Sequence, residues 1–352
     1  MSNQPYQPCE VAVIVPCYNA APHIARALDS VFAQTHRELR AYVIDDGSTD
    51  DLESQLRRYG ESISLSRQAH AGQASARNRG IRSSDGPFVA FLDADDEWLP
   101  HKLERQIEIL RHDSRIGMVY SDCLTSGTGP GAGSFFARTG IPKGGRVFER
   151  FLTNCGVYTP TVVVRRESLN DVGLFDEGLT IGEDYNMWLR IAARWDVAVI
   201  PEALAIRHVS PGSLSLTTSV DTALSEVITA FEHVEQCNPS LSPQEHRALR
   251  RAIARHYYEY GSYLLRKGDR KLSQRQMLQA IHHGLRDWRT LAKLGLGFLP
   301  YRAFAALRAA RQSLAGGSPS DVLPLTRDRQ SQDHQSLDTP SGDQCTSTSH
   351  DR

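Results

Sequence analysis

The 352-residue chain carries 40 Lys and Arg against 41 Asp and Glu, a formal net charge of −1, with 40% hydrophobic and 23% charged residues. That balance excludes a general electrostatic pull towards nucleic acid or an anionic membrane, and the length admits two domains or one larger α/β domain with an appendage. Six cysteines, at 9, 17, 123, 155, 237 and 345, form no C-x-x-C pair and no metal-finger spacing, which fits free thiols in a reducing compartment.

Residues 11–15, Val-Ala-Val-Ile-Val, form a β-branched run suited to a buried parallel strand. Ile24, Ala27, Leu28, Val31 and Phe32 then recur at helical spacing. A second strand over 41–44 ends in an acidic turn, where Ser48 or Thr49 is expected to cap a helix running to about Tyr59. A third strand covers 63–65, a helix 71–82, a fourth strand 88–92 and a further helix 102–111. Residues 126–145 are rich in Gly, Ser and Pro and read as a loop. A strand is expected at 158–165, an amphipathic helix at 184–194 and a last strand at 197–200. The β-α-β-α order predicts an α/β fold with a mostly parallel, doubly wound sheet. From 222 to 314 the pattern is helical, with an antiparallel hairpin turning near Gly268 and Asp269, and 316–352 has the composition of a disordered tail. The first eight residues lack the segments of a signal peptide, and no run approaches the ~18 apolar residues of a spanning helix, so a cytoplasmic protein is expected.

Chemistry concentrates at the expected strand ends. The apolar run 88–92 stops abruptly at Asp93, followed by Ala94, Asp95 and Asp96. Crowded carboxylates repel one another unless a cation sits among them, and their hard oxygens suit Mg²⁺ or Mn²⁺ shared with substrate phosphates. A solvated turn capping the next helix is the plainer alternative. Pro16, Tyr18 and Asn19 follow the first strand, in what is otherwise a connecting loop. Asp45 and Asp46 follow the second; they can accept from a base N–H or a ribose hydroxyl, or close a tight turn. Arg77 and Asn78 lie in a helix of small residues and could present donors to a nucleotide, or simply face solvent. Glu183 and Asp184 open a helix, where acids complement the dipole and where one could act as general base. His208 follows the last strand and could complete a metal shell or touch a phosphate, although a lone histidine is more often structural. No G-x-G-x-x-G and no P-loop occurs, which disfavours a dehydrogenase.

Five segments, taken together and in order, carry a resemblance: 11–19 (Val-Ala-Val-Ile-Val-Pro-Cys-Tyr-Asn), 44–51 (Ile-Asp-Asp-Gly-Ser-Thr-Asp-Asp), 76–80 (Ala-Arg-Asn-Arg-Gly), 91–96 (Phe-Leu-Asp-Ala-Asp-Asp) and 182–190 (Gly-Glu-Asp-Tyr-Asn-Met-Trp-Leu-Arg). In this the chain resembles the family 2 glycosyltransferases, which share the GT-A fold. The likeness covers about 9–215 and does not reach the helical extension. It implies inverting transfer of a sugar from a nucleoside-diphosphate donor, UDP first, to a hydroxyl on a glycan or lipid-linked acceptor, with a divalent cation (Mn²⁺ or Mg²⁺) as cofactor. Carried over residue by residue, it implies a nucleotide pocket lined by Pro16 and Tyr18, with Asn19, Asp45, Arg77, Asn78 and Ala94 nearby. Asp46 would contact the base and Asp93 the ribose side. Asp95 would hold the cation, joined in some members by His208, and Asp184 would be the general base ahead of Glu183.

Cell-envelope polysaccharide or glycolipid synthesis is the implied setting. A non-catalytic nucleotide-sugar-binding scaffold is the alternative, against which the retention of Asp95, Asp96 and Asp184 speaks. A nucleotidyltransferase would need a glycine-rich, basic N-terminal loop where Pro-Cys-Tyr-Asn stands here. Within 291–310, Leu291, Leu294, Phe298 and Phe304 alternate with Lys293, Arg302 and Arg308. That pattern suits a helix at the inner face of the cell membrane, or one packed on the catalytic domain or a partner.

Overall fold

A strand that is apolar at every position can be covered on both faces, and this governs the first half of the molecule. In the computed structural model, which describes residues 9–127, 131–209, 217–285 and 291–295, β1 (Val11–Cys17) is buried along its whole length. Parallel pairing joins it to β2 (Leu39–Asp45) and, on the other side, to β4 (Phe88–Phe91), while β2 carries β3 (Ile63–Arg67). Val11, Val13 and Val15 pack with Ile24 and Leu28 of α1 (Ile24–Phe32) and with Leu103 and Ile107 of α4 (Lys102–His112). Ala12 and Ile14 point the other way, towards Ile81 of α3 (Gln73–Arg82). There the approach is very close: a Cβ on Gly80 would stand 2.6 Å from Ile14 Cγ2, so only glycine lets α3 lie down on β1.

The helix expected after Ser48 begins later, as α2 (Leu52–Leu56), and then tightens into a 3₁₀ segment over Arg57–Ser62. Ser48 is drawn into the turn before it. Its N–H donates to Asp45 Oδ1 at 2.8 Å, and its hydroxyl accepts the Asn19 N–H at 3.0 Å.

Beyond β4 the sheet becomes mixed. It adds β5 (Glu97–Trp98), β6 (Ile116–Thr125), β7 (Gly133–Ser134), β8 (Val163–Arg165) and β9 (Asp196–Arg207). The order is β3-β2-β1-β4-β8-β6-β9-β5, with β7 on β6. β8 runs against both β4 and β6, β5 against β9 and β7 against β6, whereas β6 and β9 are parallel. Six of the nine described strands thus run the same way, as expected of a mostly parallel sheet, and the three short ones that oppose them, β5, β7 and β8, make this half mixed.

Three expectations shift here. β6 was not anticipated, since Gly117 and the buried polar pair Ser121 and Asp122 interrupt its apolar pattern. The strand expected over 158–165 shortens to β8, because Pro160 belongs to a 3₁₀ turn over Thr159–Thr161. The last strand runs on to Arg207, its pairing with β6 stepping past irregularities around Asp122. Short helices α5 (Phe135–Thr139), α6 (Phe148–Phe151) and α7 (Arg166–Val172) fill the connections, and α8 (Glu183–Arg194) packs on the sheet through Met187, Trp188 and Ile191.

Three long helices follow: α9 (Val220–Cys237), α10 (Pro243–Lys267) and α11 (Arg270–His282). The hairpin turns where expected, with α10 ending at Gly268 and the Asp269 carboxylate capping α11 through the Leu272 N–H at 3.0 Å. Phe231, Val234, Leu249 and Ile253 enter the same buried cluster as Phe91 and Trp188. Leu224 and Ile228 of α9 meet Tyr260 and Leu264 of α10 in a smaller cluster. The tail expected over 316–352 lies outside the described residues, as does most of 291–310. Within 291–295, Lys293 Nζ donates to Ser262 Oγ at 2.7 Å and sits 4.1 Å from the centre of the Tyr258 ring. No helix among the described residues is long and apolar enough to cross a membrane.

Candidate active site

Parallel strands bring their C-terminal ends to one edge, and there the loops after β1, β2 and β4 meet. Asn19 adopts a left-handed φ of 50°, a conformation asparagine tolerates, and its Oδ1 accepts the Thr49 N–H at 2.8 Å. The first loop is thereby tied to the second. Pro16 lies in β1 opposite Ile44, and Tyr18 stands 48% exposed with its ring stacked on His70, centroids 4.0 Å apart.

Asp46, only 3% exposed, accepts from Gln68 Nε2 at 2.8 Å and from the Ala71 and Gly72 N–H groups at 2.9 and 2.8 Å. His70 Nδ1 lies 2.9 Å from Oδ2, the oxygen that Gly72 also meets. Asp46 thus folds 68–72 over the end of β2 and fixes the Tyr18–His70 pair. Asp45 holds the Ser48 turn and meets Arg67 Nε at 3.3 Å. The two acids brace the loops at this edge, and the open aromatic face belongs to Tyr18.

A buried relay links this edge to α8. Arg77, 1% exposed, donates from Nη2 to Asp93 Oδ1 at 2.8 Å and to Gln73 Oε1 at 3.1 Å, and from Nη1 to Glu183 Oε1 at 2.7 Å. Burial alone would favour loss of its charge; Asp93 and Glu183 outweigh that and keep the guanidinium above the ordinary arginine pKa. Glu183 is itself buried, and that burial, with Asp184 beside it, pushes its carboxyl up to about 7 against the pull of Arg77. Asp184 is half-buried, its Oδ2 accepting the Thr159 hydroxyl at 3.0 Å and its Oδ1 the Tyr185 N–H at 2.7 Å. Thr159 had no signal of its own in the sequence, since a Thr-Pro-Thr turn has no mark of function. Asn78 faces elsewhere. Its amide donates to Phe175 O and Glu177 Oε1 at 2.9 and 2.8 Å and accepts the Phe175 N–H at 2.9 Å, anchoring the approach to α8.

The remaining acids crowd together after β4. Asp96, 4% exposed, accepts the His208 N–H at 2.9 Å; burial and the charges of Asp93 and Asp95 push its carboxyl up to about 8. Burial, then Asp93, raises Asp95 as well. Ala94 is buried between them, and the Asp95 carbonyl accepts from Arg26 Nη2 at 2.6 Å. The His208 ring reaches Glu97, Nε2 to Oε2 3.3 Å. The negative charge here is undercompensated, the donor chemistry of a hard divalent cation. Among the described residues no three His, Cys, Asp or Glu side chains form a complete shell. An ion shared with phosphates and water takes only one or two protein carboxylates, so the residues present fit.

Comparison with known proteins gives the family and the fold. The profile described as Glycosyl transferase family 2 matches residues 12–173. Among curated proteins, the Escherichia coli UDP-Glc:alpha-D-GlcNAc-diphosphoundecaprenol beta-1,3-glucosyltransferase WfgD is 33% identical over 192 residues, 54% of this chain and 72% of that protein. Longer relatives also match: the chain spans 35% of an uncharacterized glycosyltransferase of Rickettsia felis, to which it is 31% identical. Among solved structures, S. aureus TarS 1–349 in complex with UDP-GlcNAc superposes with a TM-score of 0.64 at 17% identity, over 88% of this chain and 92% of that one. The mannosyltransferase PcManGT from Pyrobaculum calidifontis, in complex with GDP-Man and Mn²⁺, gives 0.56 at 20% identity, over 88% and 87%. These structures share the fold.

Proposed function

The chain belongs to glycosyl transferase family 2 and is a glycosyltransferase, and from that premise we propose that it moves a sugar from a UDP donor to a hydroxyl of a lipid-linked glycan, with inversion. The observation that carries this is the unequal pair on α8. Glu183 is locked on Arg77, whereas Asp184 is half-open and oriented by Thr159. Asp184 takes the proton from the acceptor hydroxyl as its oxygen attacks the anomeric carbon, and the bond to the nucleoside diphosphate breaks on the opposite face. Arg77 meanwhile keeps Glu183 and Asp93 from repelling one another.

On the donor side, Tyr18 and Pro16 line the base pocket, Asp46 and Asn19 hold its wall, and Asp93 borders the ribose. Asp95, with His208 beside Asp96, would hold Mn²⁺ or Mg²⁺, which when bound neutralises charge on the departing diphosphate. Support for UDP comes from the donor in the WfgD name and from the TarS complex, and support for the cation from the Mn²⁺ in the mannosyltransferase complex. The diphosphoundecaprenol in the WfgD name supports a lipid-linked acceptor, hence work at the inner membrane face in cell-envelope polysaccharide synthesis.

Asp184→Asn tests the reading. UDP release from UDP-glucose or UDP-GlcNAc in the presence of a GlcNAc-diphosphate lipid should fall by roughly 10²–10⁴-fold. Stabilisation by UDP with Mn²⁺ should remain. Surviving transfer would remove Asp184 from the role of base. Wild-type protein that binds UDP yet releases none from any donor would favour the scaffold alternative.

A further inference from the structure

Glu226, on α9, makes its contacts away from its own helix. Its Oε2 accepts the backbone N–H of Thr180 at 2.7 Å and that of Ile181 at 2.6 Å. Those amides come just before Gly182, whose φ of 78° swings the chain into α8 and on to Glu183 and Asp184. With no side chain, Gly182 cannot cap the helix, and a left-handed glycine is a joint free to take other angles. The angle at which α8 starts must therefore be set by neighbours.

α9 supplies them. Besides Glu226, Asn186 Nδ2 donates to Ala230 O at 2.8 Å, His233 Nδ1 lies 2.7 Å from Asp176 Oδ2, and the Tyr185 and Phe231 rings meet edge-on at 5.2 Å. Of these, only Glu226 grips backbone on the near side of the joint, and a carboxylate accepting two adjacent N–H groups is a strong, directional anchor. Glu226 also lies beyond the stretch matched by the family profile, which ends at residue 173.

We infer that Glu226 is a positioning residue for glycosyl transfer: by fixing the Thr180 and Ile181 backbone it sets where α8 delivers Asp184. The inference rests on Asp184 acting as base. Among the described residues Glu226 has its side-chain hydrogen bonds to Thr180 and Ile181 and none to the loops after β1, β2 and β4 that would bind the donor, so its effect falls on turnover and not on nucleotide affinity. Geometry of this kind matters because a misplacement of ~1 Å at a reacting group costs on the order of 10²-fold in rate.

The experiment uses the full chain with Glu226→Ala and Glu226→Gln. It follows UDP release from UDP-glucose or UDP-GlcNAc with a GlcNAc-diphosphate lipid, UDP affinity with Mn²⁺, and amide hydrogen exchange over 176–186. Glu226→Ala should lower kcat by roughly 10- to 100-fold, leave UDP affinity within about twofold, and speed exchange at Thr180 and Ile181. Glu226→Gln, whose amide oxygen can accept the same two N–H groups, should recover most of the turnover. Unchanged kcat in the alanine variant would overturn the inference, as would wild-type protection of both amides or a parallel loss of UDP affinity. Glutamine as damaging as alanine would assign the effect to charge and overturn it too. If the alanine variant does not fold, Glu226→Asp, one methylene short, takes its place with the same expectations. Asp184→Asn run alongside separates the two ideas: transfer surviving there defeats the base assignment, while exchange at Thr180 and Ile181 still reports on the clamp.

Discussion

The two halves of the sheet hold their acids in different ways. At the ends of β1 and β2 the acids are held by loops of that same edge: Asp45 by the Ser48 turn that follows it, Asp46 by the amides of 71 and 72 at the end of the neighbouring parallel strand β3. On α8 the acids depend on distant chain. Glu183 needs Arg77, Asp184 needs Thr159, and the loop before both needs α9. The first kind of site comes almost automatically with a parallel strand end, whereas the second exists only once several separate elements have docked.

That contrast can be broken most directly at Arg77, which belongs to both halves. Arg77→Met should destabilise the fold by about 3–5 kcal/mol in urea unfolding, because Asp93 and Glu183 lose the cation between them. Adding Glu183→Gln should recover part of that loss; a cost below about 1 kcal/mol would mean that the bridge does not couple the halves. Next in size is Asp95→Asn, which should abolish the Mn²⁺-dependent stabilisation by UDP, about 2.7 kcal/mol at a hundred times the dissociation constant, and leave exchange at Thr180 and Ile181 as in wild type. A change at those amides would show that donor and acceptor sides are not separately built.

Near neutral pH the smallest effect belongs to a histidine on α10. His256 packs on Phe231, where burial, aided by Arg255, lowers its pKa to about 4 from an ordinary 6.5. The unfolded chain therefore takes up this proton first as pH falls. Its contribution to stability is intact above pH 6.5, shrinks by about 1 kcal/mol near pH 6 and continues to fall towards pH 4. His256→Phe should flatten that part of the pH–stability curve, and an unchanged slope would remove His256 as its source.

The acids at the strand ends were legible in the sequence because period, burial and chemistry coincide there. Asp93, Asp95 and Asp96 end an apolar run, and of the three Asp96 accepts the His208 N–H. Within the acid pair only the family resemblance, and no local pattern, put Asp184 ahead of Glu183. Glu183 and Asp184 are both first-turn acids, yet successive helical residues point about 100° apart, so one turns in to Arg77 and the other towards Thr159. β6 escaped notice for a related reason. Its buried Asp122 looks like a loop residue until Ser134 and the Phe136 N–H arrive from 12 and 14 residues downstream to satisfy it. The grip of Glu226 on residues 180 and 181 spans 46 and 45 positions and carries no local pattern.

Because Phe231, Val234, Leu249 and Ile253 complete the cluster that contains Trp188 and Phe91, the catalytic module cannot be inherited without them. A gene fragment ending where the family likeness ends would leave that apolar surface facing water and prone to self-association. Fusion, duplication or shuffling of this enzyme would have to carry the chain through Ile253, so its helices constrain where recombination can cut.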